Sequence, residues 1–95
     1  MTLKEYNTVF SETVQQLAKE PSMADVDYFF ALDGCGGFHS AEFFSESGAG
    51  RSFTLFPNGT VDDAAGLTAE MLGDLAAAAK TLKGAWTEFL RGENH

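Results

Sequence analysis

The sequence predicts an α+β fold of order α-β-β-β-α, in which two helices pack on one face of a three-stranded antiparallel sheet. The two terminal segments repeat apolar residues at the three-to-four spacing of an amphipathic helix, whereas the middle alternates with the period of two typical of strands. The links between the strands are short and contain glycine, which favours an antiparallel meander. Each helix has one apolar stripe, so both helices are expected to cover the same face of the sheet.

The first helix is predicted over residues 2–20. Thr2 and Glu5 fit a capping box, in which the threonine hydroxyl accepts a hydrogen bond from the amide of Glu5 and the glutamate accepts one from the amide of Thr2. Pro21 is expected to end the helix because proline disfavours the helical conformation of the residue before it. The apolar stripe between these ends consists of Leu3, Tyr6, Phe10, Val14 and Leu17.

Three strands are predicted over residues 23–33, 38–46 and 51–56. Turns at Asp33–Gly37 and Ser47–Gly50 would join them, since glycine adopts positive φ freely. Pro57, Asn58 and Gly59 are typical turn residues and would stop the third strand. Residues 60–66 are predicted to be a loop, with room for one helical turn near Asp62.

The second helix is predicted to begin after Thr68 and to run to Arg91. Leu67 and Leu72 bracket Thr68 as a hydrophobic staple brackets an N-cap, and Gly92 is expected to stop the helix in a left-handed conformation. Residues 1–92 would form a single domain, followed by a frayed tail over residues 93–95. The predicted core includes Tyr6, Phe10, Tyr28, Phe30, Phe53, Leu75, Leu82 and Trp86.

Alternation also divides the strand side chains between a covered face and an open face. Keeping Glu42 and Glu46 out of the core sets the phase of the second strand. The covered face is then predicted to receive Val26, Tyr28, Phe30, Leu32, His39, Ala41, Phe43, Phe53 and Leu55. The open face is predicted to display Asp25, Asp27, Phe29, Phe38, Ser40, Glu42, Phe44, Glu46, Ser52, Thr54 and Phe56. Exposed phenylalanines among carboxylates are typical of a binding surface.

The acidic residues are concentrated in the middle of the chain. Residues 23–74 contain nine acids and one base, Arg51, and they account for the formal net charge of −8. Such a chain lacks the Lys and Arg footprint that binds nucleic-acid phosphates, and its charge opposes binding to anionic lipid. No apolar run approaches the roughly 20 residues of a membrane span, and the N-terminus is not of the signal type. The expectation is a cytoplasmic protein that binds a basic protein surface, although the charge could also serve solubility alone.

The glycine-rich turn at Cys35 is the candidate for reaction chemistry. A Cys35 thiolate with His39 as its base would need an orienting acid, for which Asp33 lies nearby. It would also need an oxyanion hole, for which the amides of Gly36 and Gly37 are candidates. All these groups lie on one flexible turn, so no catalytic role is predicted.

Metal binding is not predicted either. Cys35 and His39 could supply two zinc ligands, but a zinc site needs three or four. The spacing and the glycine of an EF-hand calcium loop are also missing around the four candidate carboxylates. These are Asp25, Asp27, Glu42 and Glu46, and no cofactor is expected.

Seven acidic residues give the middle half of the chain its character: Asp25, Asp27, Asp33, Glu42, Glu46, Asp62 and Asp63. In this composition the chain resembles the small acidic inhibitor proteins of phages and mobile elements, including anti-CRISPR and other DNA-mimic proteins. The resemblance has no diagnostic motif. It implies a short, non-enzymatic protein whose carboxylates compete for the Arg and Lys that normally contact a nucleic-acid backbone.

The predicted partner-binding residues are Asp25, Asp27, Phe29, Glu42, Phe44 and Glu46. The expected partner is a basic protein surface, such as that of a nucleic-acid-binding complex. Two alternatives stay open: an accessory domain that homodimerises through the open face, and a small enzyme or ligand-binding module that uses the Cys35 turn. A register slip, a β-bulge or a loop folded over the open face would instead cover it.

Overall fold

The computed structural model describes residues 1–47 and 50–93. Within them, two α-helices and four strands follow in the order α1 (Leu3–Ala18), β1 (Val26–Leu32), β2 (Phe38–Ser45), β3 (Ser52–Leu55), β4 (Val61–Ala65) and α2 (Ala69–Glu93), with a short 3-10 helix at Pro21–Met23. The strands form one antiparallel sheet in the order β1-β2-β3-β4. The predicted α+β class, both helices and the antiparallel sheet are confirmed. The predicted number of strands, three, is wrong.

The fourth strand occupies the segment predicted to be a loop. Gly59, with φ +87°, reverses the chain after β3, and the Phe56 amide donates to the Thr60 carbonyl at 2.9 Å. The segment then pairs with β3, with Val61 opposite Leu55 and Asp62 opposite Thr54. Of its apolar side chains, Val61 packs against the core, and the rest of the strand is exposed. Backbone pairing along the edge of β3 therefore forms β4, without the alternating apolar pattern that would have predicted it.

The helix ends are as predicted at two caps and different at a third. Thr2 and Glu5 form the capping box, at 3.1 Å to Thr2 Oγ1 and 2.9 Å to Glu5 Oε1. Thr68 Oγ1 accepts from the Met71 amide at 3.2 Å. Gly92 is helical and not left-handed, so the predicted stop is wrong; glycine weakens a helix, but no proline follows to end it. Asn94 and His95 of the predicted tail, and Gly48 and Ala49 of the predicted turn, lie outside the described residues.

The core lies between the helices and one face of the sheet. Of the eight predicted core residues, five are buried and three are partly buried against the core, namely Tyr28, Phe30 and Trp86. The Tyr6 hydroxyl lies within hydrogen-bonding distance of the carbonyls of Pro57 and Leu82, which ties α1 to the β3–β4 turn and to α2. The buried side chains are Tyr6, Phe10, Val14, Leu17, Met23, Ala41, Phe43, Phe53, Leu55, Met71, Leu75, Ala78, Ala79, Leu82 and Phe89.

At one end of the sheet, a bulge changes which side chains of β2 face the core, and the predicted faces are wrong there. Ser40 pairs with Ala31, but Phe38 pairs with Leu32, so β2 has one extra residue, His39, at this point. An extra residue reverses the alternation. Phe38 consequently points inward and stacks on Phe30 at 4.6 Å, whereas His39, predicted inward, is exposed. Leu32, the last residue of β1 and the partner of Phe38, was also predicted inward and is exposed, although the bulge does not change its phase. Ser40 keeps the register of the open face, yet it is buried.

Candidate protein-binding face

The sheet face opposite the helices carries two rows of side chains, which we call the open face. Directly paired residues of an antiparallel sheet project to the same side. One row runs across the sheet through Phe29, Glu42, Thr54 and Asp62. The next runs through Asp27, Phe44, Ser52 and Ala65. The intervening rows, which contain Phe43, Phe53 and Leu55, point into the core.

Two phenylalanines on this face are exposed to solvent. Phe29 is 50% exposed and Phe44 is 38% exposed. Their ring centroids lie 6.0 Å apart at an interplanar angle of 54°, so the two rings form one continuous apolar patch. Large exposed aromatic groups that touch each other are typical of interaction sites, because the same rings would be more stable in the core.

Four carboxylates lie on the same face of the sheet as the aromatic pair. Asp27 stands directly opposite Phe44, and Glu42 stands directly opposite Phe29. Asp62 lies at the far end of the Glu42 row, and Asp63 borders the shallow depression next to the phenylalanines. No Lys or Arg other than Arg51 occurs between residues 20 and 79 of the sequence. The open face is therefore strongly negative and holds an apolar centre.

Two of the predicted site residues lie at the end of the sheet instead. Asp25 precedes β1, and its Oδ2 accepts from Arg51 Nη1 at 3.3 Å and from Ser47 Oγ at 2.9 Å. Glu46 follows β2, and its amide donates to the Asp25 carbonyl at 3.3 Å. Asp25 thus neutralises Arg51 within the chain. The structure brings Asp27, Phe29, Glu42 and Phe44 together within β1 and β2 and places Asp25 and Glu46 just beyond the ends of these strands.

Asp62 and Asp63 take their places on the open face because β4 exists. The only sequence signal for them is the turn at Pro57–Gly59, after which the chain can reverse and pair with β3. A bulge between the Asp62 and Ala65 pairs leaves Asp63 unpaired, with φ +51°, the left-handed region that aspartate tolerates better than most residues.

Each edge strand of the sheet contains an aspartate whose side chain accepts a hydrogen bond from the backbone amide of the next residue. On β1, Asp27 Oδ1 accepts from the Tyr28 amide at 2.8 Å, and on β4, Asp62 Oδ1 accepts from the Asp63 amide at 2.9 Å. Charged side chains and bulges at an edge strand oppose pairing with a further strand. The arrangement therefore opposes the addition of a further strand at either edge.

The Cys35 turn is organised by Asp33. Asp33 Oδ1 accepts from the amides of Cys35 at 2.7 Å and Gly37 at 3.1 Å. These two amide donors hold the pKa of the Asp33 carboxyl below its usual range. The Cys35 thiol is exposed, and the Gly37 amide is already bonded to Asp33. Among the described residues, no three His, Cys, Asp or Glu side chains are placed to hold a metal ion.

Comparisons of the chain with protein-family models, with curated proteins and with solved structures find no match. In the described part of the chain, neither helix combines the length and the apolar character needed to cross a membrane. The geometry and charge of the open face are therefore the features that bear on function.

Proposed function

We propose that this protein is a small acidic inhibitor whose open face binds and occludes a basic, nucleic-acid-binding surface of a partner protein. The observation that carries the proposal is the exposed Phe29–Phe44 pair, with a carboxylate directly opposite each ring. The rings supply apolar contact area of the kind found at binding hot spots. The carboxylates can accept charge-assisted hydrogen bonds from Arg and Lys that otherwise contact phosphates.

Charge favours a basic partner over a second copy of the chain. A face-to-face homodimer would bring Asp27, Glu42, Asp62 and Asp63 of one copy against the same four residues of the other. Like charges placed together in an interface cost several kcal/mol. The exposed phenylalanines alone would fit a homodimer, which remains the alternative that the experiment below must distinguish.

The turn at Cys35 offers less support for an enzyme. A thiol mechanism would use the amides of Gly36 and Gly37 to stabilise a developing oxyanion. The Gly37 amide instead donates to Asp33, and Asp33 accepts from two amides of its own turn. The acid and one of the donors are thus engaged in forming the turn, and we propose no catalytic role for it.

The proposal is tested by capture and competition. The immobilised chain should retain a basic protein at about 0.05 M salt and release it at about 0.5 M, where the Debye length falls to about 4 Å. The released protein should bind labelled nucleic acid, and added free chain should displace that nucleic acid. An Asp27→Asn, Glu42→Gln variant should lose most of both effects.

A matched control removes charge from the helical layer instead. Glu12 and Glu20 are exposed and lie on the helical side of the molecule, away from the open face, so Glu12→Gln with Glu20→Gln should leave capture and competition nearly unchanged. Equal losses in both variants would mean that net charge matters and the open face does not. Retention of no partner, together with a concentration-dependent dimer in sedimentation equilibrium, would replace the proposal with the homodimer.

A further inference from the structure

We infer that the open face selects arginine over lysine and binds a pair of guanidinium groups from one segment of its partner. This inference depends on the proposed function, since it specifies the chemistry of the basic surface. It comes from the way that β1 and β2 alternate aromatic and acidic side chains on the open face.

The four residues at the centre of the face form a square of alternating type. Asp27 faces Phe44 across the strands, and Phe29 faces Glu42. Each strand places its carboxylate two residues before its phenylalanine, and the strands are antiparallel. The two phenylalanines therefore lie on one diagonal of the square and the two carboxylates on the other. Directly opposed side chains have Cβ atoms about 5 Å apart. Each ring therefore has two carboxylates as neighbours, one across the strands and one along its own strand.

A guanidinium group fits each ring and carboxylate together. It is planar and weakly hydrated, so it can stack on an aromatic face while its edge donates two parallel hydrogen bonds to a carboxylate. The ammonium group of lysine is compact and strongly hydrated, and it has no flat face to lay on a ring. Without the phenylalanines, the carboxylates would attract either cation; with them, arginine gains an additional contact.

The spacing indicates how the two arginines are arranged. Diagonal residues on an antiparallel pair lie about 7–8 Å apart, and the distance between their Cβ atoms is somewhat less. In an extended segment, residues two apart project to the same side and are separated by about 6.7 Å. Two arginines with one residue between them would therefore reach both positions of the square from an extended chain lying over the face.

The test uses two synthetic peptides and NMR titration at about 0.02 M salt. One peptide is Ser-Arg-Thr-Arg-Ser, the other is Ser-Lys-Thr-Lys-Ser, and both have blocked ends. The arginine peptide should shift resonances of Phe29, Glu42 and Phe44 and bind about fivefold tighter than the lysine peptide or better, because stacking on two exposed rings adds to affinity.

A variant separates stacking from charge. Phe29→Leu with Phe44→Leu keeps an apolar surface and all four carboxylates but removes the aromatic faces. It should bind the two peptides with affinities within about twofold of each other, while keeping the salt dependence of binding. Glu12→Gln with Glu20→Gln is the control and should keep the wild-type preference.

The outcomes distinguish this inference from the proposed function. Equal affinity of the wild-type chain for both peptides, with both bound at the open face, would overturn arginine selectivity and leave the acidic binding face intact. A preference for arginine that persists in the double leucine variant would also overturn it. Binding of neither peptide to the open face would count against both the inference and the proposed function.

Discussion

The close approach of the β3–β4 turn to α2 gives a stability prediction that depends on single atoms. Gly59 has φ +87°, and a Cβ atom there would lie 2.6 Å from the Ala79 carbonyl oxygen and 2.9 Å from the Lys83 amide nitrogen. Both are backbone atoms of a helix, so neither can move aside alone. Gly59→Ala would force the turn away from α2 and disturb the contact of Tyr6 with Pro57 in the same turn.

Two further glycines provide the comparison needed to separate the causes. Gly36 has φ +88°, with nothing within 4 Å of a Cβ atom, and Gly84 lies in α2 with an ordinary φ and equally open space. An alanine in the left-handed region costs about 1–2 kcal/mol, which is the whole effect expected for Gly36→Ala. Overpacking adds about 1–3 kcal/mol, so Gly59→Ala should cost about 2–5 kcal/mol. Gly84→Ala should stabilise the protein by about 0.5–1 kcal/mol.

Urea unfolding followed by circular dichroism would measure all three changes in the free energy of unfolding. From the most to the least stable, the expected order is Gly84→Ala, wild type, Gly36→Ala and Gly59→Ala. A cost at Gly59 no larger than that at Gly36 would show that the turn does not contact α2 as described, and that the position of β4 against the helical layer is wrong.

Three further predictions concern the core, alkaline pH and the thiol. Leu82→Ala should lower the free energy of unfolding in urea by about 2–5 kcal/mol, because Leu82 is fully buried. Leu72 lies in the same helix and is half exposed, so Leu72→Ala should change the free energy of unfolding by less than about 0.5 kcal/mol. Similar costs for the two variants would contradict the burial of Leu82. Burial raises the pKa of Tyr6 from 10.0 to about 12, so the contribution of the neutral phenol to stability is fully present below pH 10 and is lost as the pH rises through 12. Over this range the urea midpoint should fall by less in Tyr6→Phe than in wild type. Equal falls would contradict the raised pKa of Tyr6. Cys35→Ser should unfold at the same urea concentration and bind the captured partner as well as wild type, and loss of binding by the folded variant would restore a role for the thiol.

The parts of the fold that the sequence predicted are those in which side-chain type determines structure locally. The Thr2–Glu5 capping box and the apolar stripes of both helices are examples, since each depends on residues three or four positions apart. The alternation of β1 placed Asp27 and Phe29 on the side opposite Tyr28 for the same reason. These features needed no knowledge of distant contacts.

The parts that the sequence did not predict depend on pairing between segments. β4 is held by β3 through backbone hydrogen bonds, and its sequence, with only Val61 against the core, has no pattern of its own. The extra residue at His39 reverses the alternation at one end of β2, and no local feature indicates a bulge there. The acidic contribution of Asp62 and Asp63 to the open face was missed as a consequence, and the ion pair of Asp25 with Arg51 was not predicted.

Mapping where a captured partner contacts the chain determines whether the open face is the surface that binds it. Aromatic NMR spectra of the chain would be recorded at low salt before and after addition of the captured protein. The ring resonances of Phe29 and Phe44 should change, and those of Phe10 and Phe53, which are buried, should not. Unchanged Phe29 and Phe44 resonances in the presence of bound partner would show that the partner binds elsewhere. Changes that occur with rising concentration of the chain alone would show that the open face binds a second copy of the chain.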